Sequence, residues 1–287
     1  MASTNVPHAD RPARHRPEVS GAAWIRDRNL LGELVRRDLK ARYRGSNLGI
    51  LWSLFNPLIY MVIYSVVFSQ FMRFPIKGAA YPVFLLSGLL AWNFFSGGLL
   101  GSVNSVLGNA TLVKKVAFPW VLLTLSSVIA AFINYLISLV LLVPVLLFFK
   151  AEIGTPLLLL PVIVIVMFVM TMGLGLLVAA GNVYFRDIEY LLNILLQVGF
   201  FLTPVIYSLD LITGKVGSHS LKAQIFYGVL QLNPMAWIAT SFQDVLAFNR
   251  MPQHWSGLLY STVFSIVALA GGLLVFERLQ GRFAEEL

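Results

Sequence analysis

Apolar residues along this chain gather into long blocks separated by short polar connections. A helix needs about 20 apolar residues to cross roughly 30 Å of hydrocarbon. Blocks of that length run over residues 48–71, 81–103, 119–148, 156–180 and 256–276, and a shorter one, interrupted by Pro204, over 190–207. The pattern predicts six transmembrane helices. The third block is longer than one crossing needs, which predicts a tilt or a projection into water. Residues 24–44 follow another period: Leu30, Leu31, Leu34, Val35 and Leu39 recur at three- and four-residue steps, with Arg28, Glu33, Arg36, Arg37 and Lys40 on the remaining face. Such a helix lies in the membrane interface, with Glu33–Arg37 and Asp38–Arg42 spaced as i,i+4 ion pairs. Residues 208–255 are mixed, and their apolar patch over 232–248 is too polar for a seventh span; a re-entrant or surface-lying helix pair fits.

Charge sets the orientation. With the N-terminus inside, the cytoplasmic flanks hold 15 of the 21 Lys and Arg, ten of them before Leu48, followed by Lys114, Lys115, Arg186, Arg278 and Arg282. The other side holds Arg73, Lys77, Lys150, Lys215, Lys222 and Arg250. Basic residues collect on the cytoplasmic side, so the reading is an all-α polytopic membrane protein with six transmembrane helices, an N-terminal amphipathic interfacial helix and both termini cytoplasmic. Residues 1–23 form a disordered cytoplasmic tail (Pro-, Arg- and His-rich over its first 20 residues, and no signal peptide), 24–47 the interface helix, 48–277 the membrane domain and 278–287 a second tail. Within the membrane domain, 104–118 is a cytoplasmic loop and 208–255 an external segment.

Composition agrees: 58% of residues are hydrophobic and 12% charged, against roughly 25% charged in soluble domains. The net charge of +8 sits beside an apolar block, which points to anionic lipid headgroups or a cytoplasmic partner rather than nucleic acid. The absence of Cys removes disulfides, thiolate metal sites and cysteine catalysis.

None of the six span interiors contains Asp, Glu, Lys, Arg or His. Proton-coupled transport ordinarily needs such a residue; sodium binding by backbone carbonyls at broken helices does not. Phosphate cradling requires a Gly-rich run ending in Gly-Lys-Ser/Thr, and the nearest string, Thr213-Gly214-Lys215-Val216, lacks both the leading glycine and the hydroxyl. Uphill work by this chain therefore requires free energy from another polypeptide. In the 104–118 loop, Asn109 is placed to cap a short helix and Pro119 to open the next. A helix carrying Leu112, Val113 and Val116, with Lys114 and Lys115 among them, toward the cytoplasm fits either a socket for a motor subunit or an interfacial hairpin.

The string 37–46 (RDLKARYRGS), then Leu48-Gly49-Ile50-Leu51-Trp52-Ser53 and Asn56-Pro57, resembles the start of ABC-2 type polysaccharide-exporter permeases. The resemblance continues at residues 112–119, at 182–187 with Tyr184-Phe185-Arg186-Asp187, at 202–207 (LTPVIY) and at Leu232-Asn233-Pro234-Met235, and it covers 26–276 in order. Thr203 and Ser208 depart from the family's more usual Ser and Pro. The resemblance implies a permease subunit that moves a polyprenyl-pyrophosphate-linked polysaccharide (O-antigen, galactan or teichoic-acid-like) across the cytoplasmic membrane, with a drug or lipid exporter of the same superfamily as the alternative. It implies a homodimer, two separate ATPase subunits that bind the ATP and Mg, no cofactor in this chain, and no enzymatic activity of its own. It also implies that Asn109, Leu112, Val113, Lys114, Lys115 and Phe118 form a coupling helix, that the N-terminal helix with Arg36 and Arg37 joins the same contact, and that 208–255 holds external gating helices.

Sugars stack on aromatic rings, so the expected translocation path is Trp52, Tyr60, Tyr64 and Phe68 on one slanted stripe of the first span, Trp92 in the second, and Gln197, Phe201 and Tyr207 in the fifth. Helix packing explains Tyr60 and Tyr64 equally well, and an interfacial belt explains Trp52 and Phe68. Gly97 and Gly101 have the spacing that lets helices approach, Asn134 reads as an interhelical hydrogen-bonding residue, and Pro204 predicts a break before Tyr207. His8, His15, His219 and His254 have no metal-ligand spacing.

Overall fold

The computed structural model describes residues 21–46, 48–71, 76, 78–115, 118–216 and 221–286. The N-terminal tail over 1–20, with His8 and His15, and also Arg73, Lys77, Val116 and His219 lie outside the described residues; so does the side chain of Lys115. The described chain is helical: α1 (Gly21–Tyr43), α2 (Trp52–Ser65), α3 (Tyr81–Val103), α4 (Ala110–Lys115), α5 (Val121–Leu139), α6 (Leu142–Phe148), α7 (Leu160–Tyr184), α8 (Ile188–Phe201), α9 (Leu209–Val216), α10 (Leu221–Leu232), α11 (Pro234–Leu246), α12 (Trp255–Gln280) and α13 (Phe283–Glu286). A π-helical turn, Val66–Phe71, prolongs α2. Among the described residues, five helical stretches are long and apolar enough to cross a membrane, and Ile188–Phe201 is a shorter apolar helix.

Prolines set the interruptions. Pro144 has no N–H to give the carbonyl of Val140 and its ring crowds that carbonyl, so the third block divides into α5 and α6 at Val140–Leu141. The expected excess length is therefore met by a break. Pro57 leaves the carbonyl of Ser53 without its helical donor, and Ser138 Oγ on α5 donates to it at 3.1 Å.

α3 is the hub, packing against α5, α7, α11, α2 and α8. Around its middle, Phe94 faces Phe132 at 5.5 Å, Tyr135 at 5.3 Å and Phe168 at 6.5 Å between ring centres. Close approach here uses Gly98 and Gly101, not Gly97: a Cβ at Gly98 would lie 2.5 Å from Thr171 and one at Gly101 2.5 Å from Ser127, whereas Gly97 faces open space. α7 and α12 touch backbone to backbone, since a Cβ at Gly173 would stand 2.4 Å from the Ala268 carbonyl carbon and one at Gly272 2.4 Å from the Gly173 oxygen.

α1 does more than rest beside the bundle. It lies along α5 with Leu34 and Val35 buried. Ser126 Oγ donates to Asp38 at 2.9 Å, and Tyr43 Oη donates to Asn134 on α5. Asp38 is paired with its neighbour Arg37 at 3.0 Å instead of with Arg42. The interhelical role expected for Asn134 is met.

Candidate functional site

The segment after α8 is where the bundle departs most from regular helix. Pro204 stops α8, and residues 202–207 run on without helical structure. Carbonyls freed this way inside an apolar bundle need donors, and side chains from three directions supply them. Asn233 Nδ2 donates to the Leu202 carbonyl at 3.1 Å and to Thr203 Oγ1 at 3.0 Å. Gln243 Nε2 donates to the carbonyls of Pro204 at 2.9 Å and Val205 at 3.3 Å. Tyr81 Oη reaches the Ile206 carbonyl at 2.8 Å, and Tyr207 Oη folds back onto the Phe201 carbonyl at 2.9 Å. Gly88 on α3 admits this arrangement, because a Cβ there would lie 2.7 Å from Gln243 Nε2.

Two of those donors belong to α11 and its cap. Asn233 accepts from the Met235 N–H at 3.0 Å, and Pro234 fills the first turn, where its missing N–H costs nothing. Ser261 Oγ donates to the Pro234 carbonyl at 2.8 Å and Tyr260 Oη to the Leu232 carbonyl at 3.0 Å, so the α10–α11 turn lies inside the N-terminal end of α12. α11 then rises antiparallel to α12, with Trp237 against Gly257 and His254. Residues 208–255 thus fold as helices packed on the bundle, with α11 buried from Met235 to Leu246.

At the C-terminal end of α11 stands an ion pair that sequence reasoning missed. Asp244 is almost wholly buried and receives Arg250 Nη2 at 2.7 Å, Arg250 Nε at 2.8 Å and the Gln253 N–H at 3.1 Å. Arg250 lies over the Phe248 ring at 4.4 Å and reaches toward Asp210 on α9 at 3.8 Å. Burial raises the Asp244 carboxyl above the usual range, and the Gln253 N–H and the Arg250 charge pull it back. The contact carries no spacing motif, since the partners are six residues apart across a loop; an Asp inside an otherwise uncharged helix was the available signal.

The expected path residues divide. Tyr60, Tyr64 and Phe68 form a string at 5.8 and 6.0 Å between ring centres, and Tyr64 meets Phe200 at 6.4 Å. Phe200 meets Trp92 at 5.8 Å, and Trp92 meets Phe95 at 5.7 Å. Phe200, absent from the expected set, is therefore the ring that joins α2 to α3. Gln197 and Phe201 are exposed on α8; Tyr207 meets Phe226 of α10 at 6.2 Å. Trp52 is exposed at the start of α2 and stands apart from the string.

At the opposite end of the bundle, α4 turns Val113 inward, packs Leu112 against the core and leaves Lys114 exposed. Phe118 packs against the same core. Asn109 donates from Nδ2 to the Ser105 carbonyl at 2.7 Å, so its side chain serves the turn before α4 instead of capping the helix. Arg36 and Arg37 are exposed on α1. No group of three or more His, Asp or Glu side chains gathers as a metal site among the described residues.

Residues 29–247 match the model of the ABC-2 type transporter family. The chain belongs to the ABC-2 type transporter family. It is 35% identical over 260 residues to the O-antigen export system permease protein RfbA of Myxococcus xanthus, covering 91% of this chain and 96% of that protein. It is 32% identical over 264 residues to RfbA of Klebsiella pneumoniae, covering 90% and 95%, and 23% identical over 248 residues to the polysialic acid transport protein KpsM of Escherichia coli, covering 85% and 91%. As a member of this family the chain is a multi-pass membrane protein and a transport component. The family match runs through α1 and ends just past α11, so the α1–α5 contact and the wrapped break after α8 both lie within it.

Proposed function

We propose that this chain is the permease subunit of an ATP-binding-cassette exporter that carries a polyprenyl-pyrophosphate-linked polysaccharide across the cytoplasmic membrane. The observation that carries this reading is the match to O-antigen export permeases over nine-tenths of both lengths, in a chain whose spans hold no ionisable group of their own. Six crossings follow if α8 and the unwound 202–207 segment count as one. α3 runs from Tyr81, bonded to Ile206, to Val103, next to Asn104, which donates to Glu189 at the start of α8 at 2.7 Å. The two elements thus share the same depth. The basic-residue count then puts both termini and α4 in the cytoplasm and the α9–α11 segment outside.

Two copies form the path and two ATPase subunits, which bind the ATP and Mg, dock beneath. Lys114 and Lys115 with Asn109, and Arg36 and Arg37 of α1, receive the ATPase, while Leu112, Val113 and Phe118, expected in the same contact, pack inward and seat α4 on the bundle. Trp52, Tyr60, Tyr64, Phe68, Trp92, Gln197, Phe201 and Tyr207 border the glycan path; the Tyr60–Tyr64–Phe68 string supports that role by keeping a row of rings on a helix largely uncovered by the protomer. Rings slide along sugar faces without holding one linkage, which suits a long polymer better than fixed hydrogen bonds.

The test is depletion of this subunit followed by analysis of the lipid-linked glycans of the inner leaflet. A polyprenyl-pyrophosphate polysaccharide is expected to accumulate there. Accumulation of a non-glycan lipid or drug, with polysaccharide delivery unchanged, overturns the reading.

A further inference from the structure

Residues 278–287 read as a cytoplasmic tail in the sequence, and Phe283 within them is built into the bundle. α13 lies against α4 and α7, and Phe283 is fully buried. Its ring stacks on Trp120 at 6.0 Å and 17°, meets Tyr184 edge-on at 6.1 Å and 62°, and meets Phe276 at 5.3 Å and 88°. Tyr184 Oη donates to the Leu279 carbonyl at 2.9 Å and closes the same joint from the α7 side. Four segments therefore meet on one ring: the α4–α5 connection, the end of α7, the end of α12 and the tail. Trp120 sits between Pro119 and α5, on the strand of chain that any displacement of α4 must pull. Its indole N–H is buried and has no acceptor among the described residues, so stacking on Phe283, not a hydrogen bond, orients the ring.

We propose that Phe283 is a positioning residue for energy coupling: it wedges the α4–α5 connection against the ends of α7 and α12, so that a push on α4 moves the spans instead of being absorbed by a slack loop. This rests on the reading of α4 as the ATPase contact. Close-packed aromatic joints are stiff because their rings have few alternative arrangements at the same density. Removing the ring frees α4 without touching the α4 surface itself.

The chain has no Cys, so Lys114→Cys gives a single attachment point on the exposed side of α4. The full permease is reconstituted with its ATPase subunit in inside-out vesicles, with a nitroxide at position 114 or, as a control at the far end of the bundle, at Leu158→Cys. Parallel vesicles that keep Lys114 and carry no label report ATP hydrolysed and periodate-reactive polysaccharide protected in the lumen. Phe283→Ala is expected to mobilise the label at 114, leave the label at 158 unchanged, and raise ATP consumed per glycan delivered at least threefold. Phe283→Leu, which keeps apolar volume, recovers more than half of both effects. Unchanged mobility at 114 with an unchanged ratio overturns the proposal. So does an equal fall of hydrolysis and delivery with both labels mobilised, which marks Phe283 as a general fold residue. A chemical crosslink from Lys114→Cys to the ATPase subunit in the otherwise unaltered chain separates the two ideas. If it fails to form while Phe283→Ala still mobilises the label, the docking reading falls and the wedge stands; if it forms and mobility is unchanged, the wedge falls alone.

Discussion

Two helices of similar hydropathy occupy opposite surroundings in this protein. The α2 stretch, Gly49–Ser69, has a mean hydropathy of 1.8 and is 11% buried within the protomer, while Tyr81–Val103 has 1.7 and is 78% buried. Hydropathy measures the transfer of a helix out of water, and that is equally favourable into lipid, into the protomer core or into a partner. The difference lies in side-chain size and in what approaches. α3 carries Gly88, Gly98 and Gly101 at sites where neighbouring atoms come within 2.5–2.7 Å of a missing Cβ, and α2 has no glycine between Trp52 and Phe71. Helices in lipid associate through such close packing instead of through exclusion of water. α2 instead presents Phe55, Ile59, Tyr60, Val62 and Ile63 outward, a face open to lipid or to the second copy proposed above.

That contrast breaks first where backbones touch. Gly173→Val forces two methyls into the Ala268–Leu269 backbone, and loss of nearly all monodisperse protein after detergent extraction is expected; recovery of a normal yield and melting temperature counts against the α7–α12 packing.

Next in size is Arg250→Ala, which strands the buried Asp244 carboxylate. Breaking a buried pair from one side costs about 3–5 kcal/mol. Asp244→Asn leaves only a part-exposed guanidinium behind, so its loss is smaller, and the double variant is more stable than Arg250→Ala alone. The pH dependence has a definite sign. The folded-state pKa of Asp244 already lies above its unfolded value, and losing Arg250 raises it further. The penalty is absent below the unfolded value of about 4 and grows as pH rises toward the folded one. Thermal melts of Arg250→Ala therefore approach those of the unaltered protein on acidification; a deficit that stays constant with pH removes Asp244 from the explanation.

Gln243→Leu sits between the two regions, because it leaves the Pro204 and Val205 carbonyls without their donor. A cost of about 1–3 kcal/mol is expected, read as a lower melting temperature with normal membrane insertion, and a neutral result means that the 202–207 break has other donors.

The smallest protomer effect belongs to α2. Ile59→Ala with Ile63→Ala changes stability by less than about 0.5 kcal/mol per site, yet lowers energy transfer between differently labelled copies in vesicles. Unchanged transfer assigns that face to lipid and sharpens the contrast with α3 from the other side.

Much of this was legible in the chain. Tyr81–Val103 coincides with the second apolar block, the Pro204 break and the role of Asn134 follow from single residues, and the mixed 208–255 segment forms short helices instead of a long apolar span. What was not legible depended on partners distant in sequence. Gly98 rather than Gly97 faces α7 because rotation about the α3 axis is fixed by Thr171, 73 positions along the chain. Phe200 joins the aromatic string because it points at Trp92 while its neighbour Phe201 points away. The tail is anchored because Phe283 finds a slot made by Trp120, Tyr184 and Phe276.

The sequence by itself determined that this chain is a membrane helix bundle whose apolar spans hold no ionisable side chain, since apolar length and missing charge are local properties of the solvent each residue must enter. Tertiary structure alone decided which apolar face is covered, which freed carbonyl meets which amide, and which aromatic ring bears on which. Those outcomes depend on rotation, depth and the meeting of side chains far apart along the chain, to which hydropathy is blind.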